Sequence, residues 1–338
     1  MKRIKRQFLI VVCSLILGSP IQISGFDRVS ANGCSTKIYT NMDDFYKEKK
    51  RSIQLLALGD SNIYRGFSPM TYWNDKKVTA YSLASASQPA WLSYYLLKDA
   101  LNYQTPEVVI FEINELFASS TSQIPRYCSA INSLRTDNAR LRAIHDDTGG
   151  LNQEDKDILY ENYANQIYRK TVNKIIPSQS ITTNNKPPNH FKGYLYETTV
   201  IPFTGYETYM SRYDVALGLD EKKIAYIDSI IELCKQKNIK LLFVKFPTRE
   251  WTTQKSNLAK EYANKRGVPI LDMNADVPSV DWMKDTKDAG FHMNNAGAIK
   301  CTKVVEEFID KYRRLSPTSD KGVINSYQTT YQIFQNAK

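Results

Sequence analysis

Cysteine and histidine are scarce in this sequence, and their scarcity limits the chemistry that it can perform. The 338 residues include five cysteines and three histidines. Five cysteines are too few for a scaffold held together by disulfides. Neither a C-x-x-C nor an H-E-x-x-H spacing occurs, so we expect no required metal and no other cofactor.

Signatures of phosphate and nucleic-acid binding are also missing. The chain contains neither G-x-x-x-x-G-K-[ST] nor G-x-G-x-x-G, and no recognised nucleic-acid module accompanies its formal charge of +10. Lys2, Arg3, Lys5 and Arg6 supply four of those charges. The remaining excess fits a surface that works near anionic lipid or an anionic wall polymer, and nucleic acid is not an expected partner.

The N-terminal apolar run is short. Phe8–Leu17 follows the basic segment, and about a dozen apolar residues are fewer than the roughly 20 that a spanning helix needs. An export signal is the better interpretation, although 23–25 and 29–31 are poor cleavage sites, so an uncleaved anchor stays open. Residues 1–25 are thus predicted to be a signal peptide or membrane anchor. The body is expected outside the cytoplasm, either secreted or held at the outer face of the membrane.

Residues 50–315 alternate between short apolar runs and longer helical patterns. The predicted strands are Ile53–Leu58, Val78–Leu83, Val108–Ile113, Ile239–Phe246 and Pro269–Met273. Helical patterns cover Pro89–Tyr103, Glu221–Lys237, Gln254–Lys265 and the residues after Asn295. Fully apolar strands that alternate with helices predict an α/β fold, a three-layer, flavodoxin-like parallel sheet with helices on both faces.

The helical patterns also indicate which cysteines are buried in the core. In the last helix, the residues predicted to face inward are Ala298, Cys301, Val305, Phe308 and Tyr312. Cys234 and Cys301 therefore fall on apolar faces and are expected to be small core residues. Cys34 and Cys128 can pair in an exported protein, although nothing in the sequence demands it.

The region Glu115–Leu219 interrupts this alternation. It carries a helical segment near Glu154–Ile175, a polar stretch from Pro177 to His190, and several aromatic residues after it. We interpret residues 115–219 as an insertion or cap over the catalytic edge, because loops there usually carry specificity. The alternative is a surface excursion without a role in substrate binding. Residues 316–338 form a polar tail, for which no fold is predicted.

Gly59-Asp60-Ser61 ends the first apolar run and carries the first candidate catalytic residue. A strand that stops at a serine places its hydroxyl at the carboxyl edge of a parallel sheet, where ligands bind. Serine becomes a strong nucleophile only when a base takes its proton and another group orients that base. The alternative interpretation is a turn in which Asp60 or Ser61 only caps the next helix.

His292 is the candidate base. It follows a short acidic loop that contains Asp288 and precedes a capped helix, whereas His145 lies in a polar run and His190 in a Pro/Asn linker. Because this loop follows the last predicted strand, it should lie at the same sheet edge as Ser61. The sequence therefore predicts a Ser61, His292 and Asp288 site.

This arrangement resembles the SGNH (GDSL-type) hydrolase superfamily. The first block is matched by residues 59–62, the last by Asp288 and His292, and the third by Glu112-Ile113-Asn114-Glu115. The resemblance implies a serine esterase or O-acyltransferase with Ser61 as nucleophile, His292 as base and Asp288 as orienting acid. It also implies that the Ser61 N–H and Asn114 bind the oxyanion.

The sequence departs from the family pattern in three places. Asp288 stands four residues before His292 instead of three, so Asp285 is a competing candidate for the acid. The second-block glycine has no clear counterpart, and the backbone N–H of Ala84 or Ser85 is the candidate oxyanion donor in its place. The third block lacks its glycine. Losing one such donor can cost about 2.7–4 kcal/mol of transition-state stabilisation.

The N-terminal segment and the insertion are similar to an extracytoplasmic branch of the superfamily. That branch includes alginate-type O-acetyltransferase proteins and the D-alanyl transfer protein of teichoic-acid modification. The resemblance implies acyl transfer or ester hydrolysis on a cell-surface or extracellular polysaccharide, with O-acetylation as the expected reaction and a membrane-bound O-acyltransferase as the expected partner. Arg65 is expected either to bind an anionic group or to form a surface salt bridge. The alternative function is a catalytically silent polymer-binding or scaffold protein on the same fold.

Overall fold

The computed structural model describes residues 42–117, 124–135, 137–145, 151–175, 190–213, 217–276 and 280–337. The predicted signal or anchor at residues 1–25 lies outside these ranges, as does Cys34. Cys128 is disulfide-bonded, and its pairing with Cys34 stays a prediction. No helix within the described ranges is long and apolar enough to span a membrane.

Five parallel strands form the central sheet. The strands among the described residues are β1 (Leu55–Gly59), β2 (Ala80–Ala84), β3 (Val108–Glu112), β4 (His190–Phe191), β5 (Tyr194–Leu195), β6 (Lys240–Lys245) and β7 (Ile270–Asp272). The sheet order is β2-β1-β3-β6-β7, while β4 and β5 pair separately as an antiparallel hairpin. All five predicted sheet strands are confirmed, with ends shifted by one or two residues.

Helices cover both faces of the sheet. They are α1 (Met42–Phe45), α2 (Ser61–Gly66), α3 (Pro69–Lys76), α4 (Ala90–Ala100), α5 (Ile124–Ser133), α6 (Asp137–His145), α7 (Gln153–Ile175), α8 (Glu221–Gln236), α9 (Thr253–Arg266), α10 (Asn295–Tyr312) and α11 (Lys321–Asn336). Alternate strand residues face opposite layers: Leu56 belongs to the core cluster that includes residues of α4, α8 and α9, and Leu55 to the cluster that includes residues of α2, α3 and α10. The predicted three-layer α/β fold is therefore confirmed.

The strand order also determines where a ligand can bind. Numbered within the sheet alone, the order is 2-1-3-4-5, the flavodoxin-like arrangement. The direction of strand addition reverses between β1 and β3, and a crevice opens beyond the carboxyl ends of those two strands. Ser61 follows β1 and Asn114 follows β3, so both flank this crevice.

The structure corrects two expectations about the C-terminal third. Within the polar tail predicted at 316–338, residues 321–336 form helix α11, which buries Val323, Tyr327 and Phe334. The Tyr327 hydroxyl donates to the carbonyl of Ala80 at 2.9 Å, so α11 covers the outer strand β2. In α10, Tyr312 does not face inward but is 39% exposed, because the helix ends at the surface there.

The described part of the insertion contacts the segment that carries His292. Helices α5 and α6, which the sequence did not indicate, precede α7 in this region. Further on, the Ile201 N–H donates to the Thr286 carbonyl at 3.0 Å, and the Phe203 N–H donates to the Trp282 carbonyl at 2.9 Å. Residues 199–203 therefore pack directly beside the acidic loop.

A fully buried ion pair joins the carboxyl ends of β3 and β6. The Lys245 ammonium bonds to one carboxylate oxygen of Glu112, and both side chains are completely buried. The Phe246 N–H donates to the second carboxylate oxygen at 3.1 Å. A buried charge requires a partner, so either member alone would be costly in this position.

Replacing only one member of this pair should destabilise the protein strongly. We expect Lys245→Met to lower the free energy of unfolding by about 3–5 kcal/mol, because it leaves Glu112 buried without its counterion. The double variant Glu112→Gln/Lys245→Met should recover more than half of that loss. Urea unfolding monitored by tryptophan fluorescence measures both effects.

The matched control is Lys265→Met, which removes an exposed pair with Glu261. It should cost less than about 1 kcal/mol, as exposed pairs usually do. A Lys245→Met variant as stable as this control would show that the buried pair contributes nothing to stability.

Candidate active site

Ser61 and His292 meet at the carboxyl edge of the sheet. The Ser61 hydroxyl lies at the first position of α2, 2.8 Å from Nε2 of His292, although 231 residues separate the two in sequence. His292 lies in the loop just before α10, with 28% of its side chain exposed. The structure thus brings together the two residues that the sequence placed at opposite ends of the α/β body.

Asp288 holds the imidazole through two contacts. One carboxylate oxygen lies 2.6 Å from Nδ1 of His292, and the other accepts the His292 backbone N–H at 2.7 Å. Burial raises the pKa of Asp288, but the hydrogen bonds and charge of His292 outweigh it and the pKa falls below its ordinary value. An ionised Asp288 at Nδ1 orients Nε2 towards Ser61.

Asp285, the competing acid, has a different role. Its carboxylate accepts the Asp281 N–H and pairs with the Lys300 ammonium, both at 2.6 Å, and its side chain is 2% exposed. Its carbonyl accepts the Asn294 N–H at the start of α10. Asp285 therefore stabilises the loop, and Asp288 is the carboxylate in contact with His292.

Asp60 connects the nucleophile turn to the third sequence block. One of its carboxylate oxygens accepts the Asn62 N–H at 2.8 Å, which caps α2. The other accepts one Nδ2 hydrogen of Asn114 at 3.0 Å. The capping interpretation of this turn and the nucleophile interpretation are therefore compatible. Since an amide group has two N–H donors, Asn114 keeps one for a ligand.

The second-block candidates lie beside the nucleophile turn. Ala84 is the last residue of β2 and stands opposite Gly59 in the register of the parallel ladder, with its side chain fully buried. Ser85 follows it and donates its hydroxyl to Gln88 at 2.9 Å. Both candidates thus lie at the same sheet edge as Ser61, and the choice of a backbone donor between them stays a prediction.

Arg65 lies one helical turn after Ser61. Within the described ranges it forms no ion pair, in contrast to the surface salt bridge considered above, and its Nη1 is buried without a hydrogen-bond partner. The pKa of Glu197 is lowered mainly by hydrogen bonds from Thr199, and the positive charge of Arg65 lowers it further. Arg65 is therefore a cation near the site without a dedicated carboxylate partner.

Glu115 was not singled out as a functional residue in the sequence. Its side chain is 1% exposed, and neither carboxylate oxygen has a hydrogen-bond partner. Burial, and then the negative charges of Asp60 and Glu112, raise its pKa well above the ordinary value. Burial likewise raises the pKa of Glu112 to about 7, against the opposing charge of Lys245. The one signal in the sequence that could have pointed to Glu115 is that it directly follows Asn114.

The described ranges contain no group of three His, Cys, Asp or Glu side chains that could hold a metal ion. Nucleophilic catalysis needs none, because serine, histidine and aspartate in hydrogen-bonded order can together activate the hydroxyl. The residues present therefore define a site of the Ser-His-Asp class by geometry.

Comparisons with known proteins add little to this geometry. No family model matches the chain. No curated protein matches it either. Its structure is similar to the crystal structure of a "putative acylhydrolase" from Bacteroides fragilis, at 11% sequence identity and a TM-score of 0.41. That similarity covers 81% of this chain and 96% of the other.

Glu115 should make the stability of the protein depend on pH. Unfolded glutamate titrates at about pH 4.3, whereas burial raises the pKa of Glu115 well above its ordinary value in the folded protein. The folded state binds more protons between these two values, so the free energy of unfolding falls as pH rises, by at most about 1.4 kcal/mol per pH unit. Glu115→Gln should flatten this decline.

Urea unfolding at a series of pH values from about 5 to 8 measures the slope. The control is Glu107→Gln, since Glu107 is exposed and pairs with Arg313 at the surface. If Glu115→Gln and Glu107→Gln give the same slope as the wild type, Glu115 does not stay protonated in the folded protein.

Proposed function

We propose that this protein is a serine-dependent acyl-transfer enzyme that works through an acyl-Ser61 intermediate. The observation that carries the proposal is the continuous hydrogen-bonded array from Ser61 Oγ through His292 to the Asp288 carboxylate. Both ring nitrogens of His292 thus have the partners that a general base needs, a serine hydroxyl on one side and a carboxylate on the other.

In the first half-reaction, Nε2 of His292 accepts the Ser61 proton while Oγ attacks the ester or thioester carbonyl. The tetrahedral intermediate collapses, the bond to the leaving oxygen or sulfur breaks, and His292 returns the proton to that atom. Water or a sugar hydroxyl then attacks the acyl-serine while His292 takes its proton. The bond between the acyl carbon and Ser61 Oγ breaks, and His292 returns the proton to Oγ. Asp288 stabilises the imidazolium in both halves.

Three donors are proposed to stabilise the oxyanion. They are the backbone N–H of Ser61, the second Nδ2 hydrogen of Asn114 and a backbone N–H of the second block, at Ala84 or Ser85. The Asp60 carboxylate fixes Asn114 from the other side through the 3.0 Å bond. Preorganised donors of this kind stabilise developing charge without reorganisation during the reaction.

We propose that the acyl acceptor is a hydroxyl group of a cell-surface or extracellular glycan, with O-acetylation as the reaction. The resemblance to the extracytoplasmic SGNH branch and the N-terminal apolar segment support this proposal, and they also support a location outside the cytoplasm. The formal charge of +10 suits an anionic envelope surface. A membrane-bound O-acyltransferase is the proposed partner that supplies acyl groups.

A silent polymer-binding protein on the same fold is the second candidate. The specific observation in its favour is that one of the two Asn114 donors is already bound by Asp60. Together with the missing second-block glycine, this leaves a small set of oxyanion donors. The two functions differ in whether Ser61 reacts.

Ser61 should react with a fluorophosphonate probe, because such probes capture serines that a neighbouring base activates. We expect labelling of the wild type and none of Ser61→Ala, measured by in-gel fluorescence and intact mass. Ser68→Ala is the matched control, because Ser68 is a buried helix cap that should not affect labelling. Absence of wild-type labelling would favour the silent scaffold.

The variants Asp288→Asn and Asp285→Asn should show different defects, one in catalysis and the other in stability. Asp288→Asn should lower kcat for acetyl-ester hydrolysis by about 10⁴-fold, as loss of the orienting carboxylate does in other triads, with little effect on unfolding. Asp285→Asn should instead destabilise the loop, since it weakens the bond to Lys300. Equal losses of kcat in two equally stable variants would contradict this division of roles.

A further inference from the structure

Arg249 lies beside the loop that joins the acid to the base. It follows β6, at the carboxyl edge of the sheet, and its backbone N–H donates to the Gly290 carbonyl at 2.7 Å. Its Nη1 donates to the Ala289 carbonyl at 3.2 Å. Ala289 and Gly290 lie between Asp288 and His292 in sequence, so these contacts place the guanidinium next to the catalytic loop.

Two aromatic rings hold the guanidinium. Its central carbon lies 4.8 Å from the ring centre of Phe203 and 5.0 Å from that of Phe291. Phe203 is buried, whereas Phe291, the neighbour of His292, is 40% exposed. Stacking on aromatic faces orders the guanidinium plane and leaves its edges for hydrogen bonds. Little side-chain entropy then remains to be lost when Arg249 binds a ligand.

Arg249 has no anionic partner within the described ranges. Arg266 makes a useful comparison, since it also stacks on an aromatic ring, that of Tyr262, but pairs with the Asp228 carboxylate at 2.7 Å. Among the described residues, Arg249 donates its side chain only through Nη1, to a neutral carbonyl. The donors on Nε and Nη2 are therefore available, and that edge matches a carboxylate or phosphate.

We propose that Arg249 and Phe291 form a subsite that binds an anionic group, a carboxylate or phosphate, of the ester substrate beside the reacting carbonyl. This inference rests on the proposed function and names its substrate class. Phe291 supplies an exposed apolar surface against which a ring or chain of the substrate packs. Lys287, whose ammonium lies 3.5 Å from Asp288, adds positive charge to the same loop.

A different role for Arg249 would be to clamp the loop without touching substrate. The clamp and the subsite make different predictions. A clamp affects the turnover of every ester, because the loop carries His292. A subsite affects the discrimination between an anionic ester and its neutral counterpart.

The experiment compares two pairs of esters. In the first pair, p-acetoxybenzoate and its methyl ester, the charge is on the leaving group. In the second pair, mono-p-nitrophenyl succinate and its methyl ester, the charge is on the acyl group. We expect the wild type to prefer the anionic member of at least one pair, by about tenfold in kcat/KM, as a charge-assisted hydrogen bond would give. The pair that shows the preference identifies whether Arg249 binds the leaving group or the acyl group of the ester.

Arg249→Gln should bring that ratio close to one, chiefly through KM for the anionic ester. Arg266→Gln is the matched control, since it removes a stacked arginine at the other end of the fold, and it should keep the wild-type ratio. An absent wild-type preference, a preference that survives Arg249→Gln, or equal losses for the anionic and neutral esters would each overturn the subsite.

A binding measurement separates this inference from the proposed function. If no ester is hydrolysed in a Ser61-dependent way, the proposed function fails, and calorimetric titration of Ser61→Ala with phenyl phosphate then decides the subsite. Adding Arg249→Gln should weaken this binding about tenfold, whereas adding Arg266→Gln should not. Undetectable binding to Ser61→Ala, or equal affinity after Arg249→Gln, would overturn the inference.

Discussion

The buried pair of Glu112 and Lys245 is the interaction on which the carboxyl edge of the sheet depends. It joins the ends of β3 and β6, and the nucleophile turn packs directly against it. A Cβ at Gly59 would lie 2.7 Å from the Glu112 Cβ, and Gly59 has a φ of +148° that other residues rarely adopt. Gly59, which ends β1 two residues before Ser61, is therefore also the residue that allows β1 to approach the ion pair.

Three acidic side chains, Asp60, Glu112 and Glu115, lie near the proposed oxyanion site, and the fold reduces their combined negative charge. Asp60 uses its carboxylate to cap α2 and to hold Asn114, while Glu112 is opposed by Lys245. The carboxylate oxygens of Glu115 have no hydrogen-bond partner, and burial raises the pKa of Glu115 well above its ordinary value although Lys223 and Lys245 oppose this. A third carboxylate charge here would repel an oxyanion held by Asn114, so a protonated Glu115 favours the chemistry that we propose.

The sheet could be predicted from sequence because strands buried on both faces are apolar throughout, and the proximity of Ser61 and His292 could be predicted from their places after strands. Spacing alone could not choose between Asp288 and Asp285, since the choice depends on how the loop folds. Helix α11 was missed because its buried Tyr327 lies among polar residues. The contact between Arg249 and Phe291 joins distant loops, and no local pattern predicts such a contact.

The conformation of the loop explains how Asp288, four residues before His292, reaches the imidazole. Ala289 and Gly290 both have positive φ, 55° and 89°, and this tight turn brings both Asp288 oxygens onto His292. Phe203 packs so closely that a Cβ at Gly290 would lie 2.8 Å from its ring. Phe203 also supports Arg249, so the described part of the insertion orders the acid-base loop and the proposed anion subsite together. A change at Phe203 would therefore affect both.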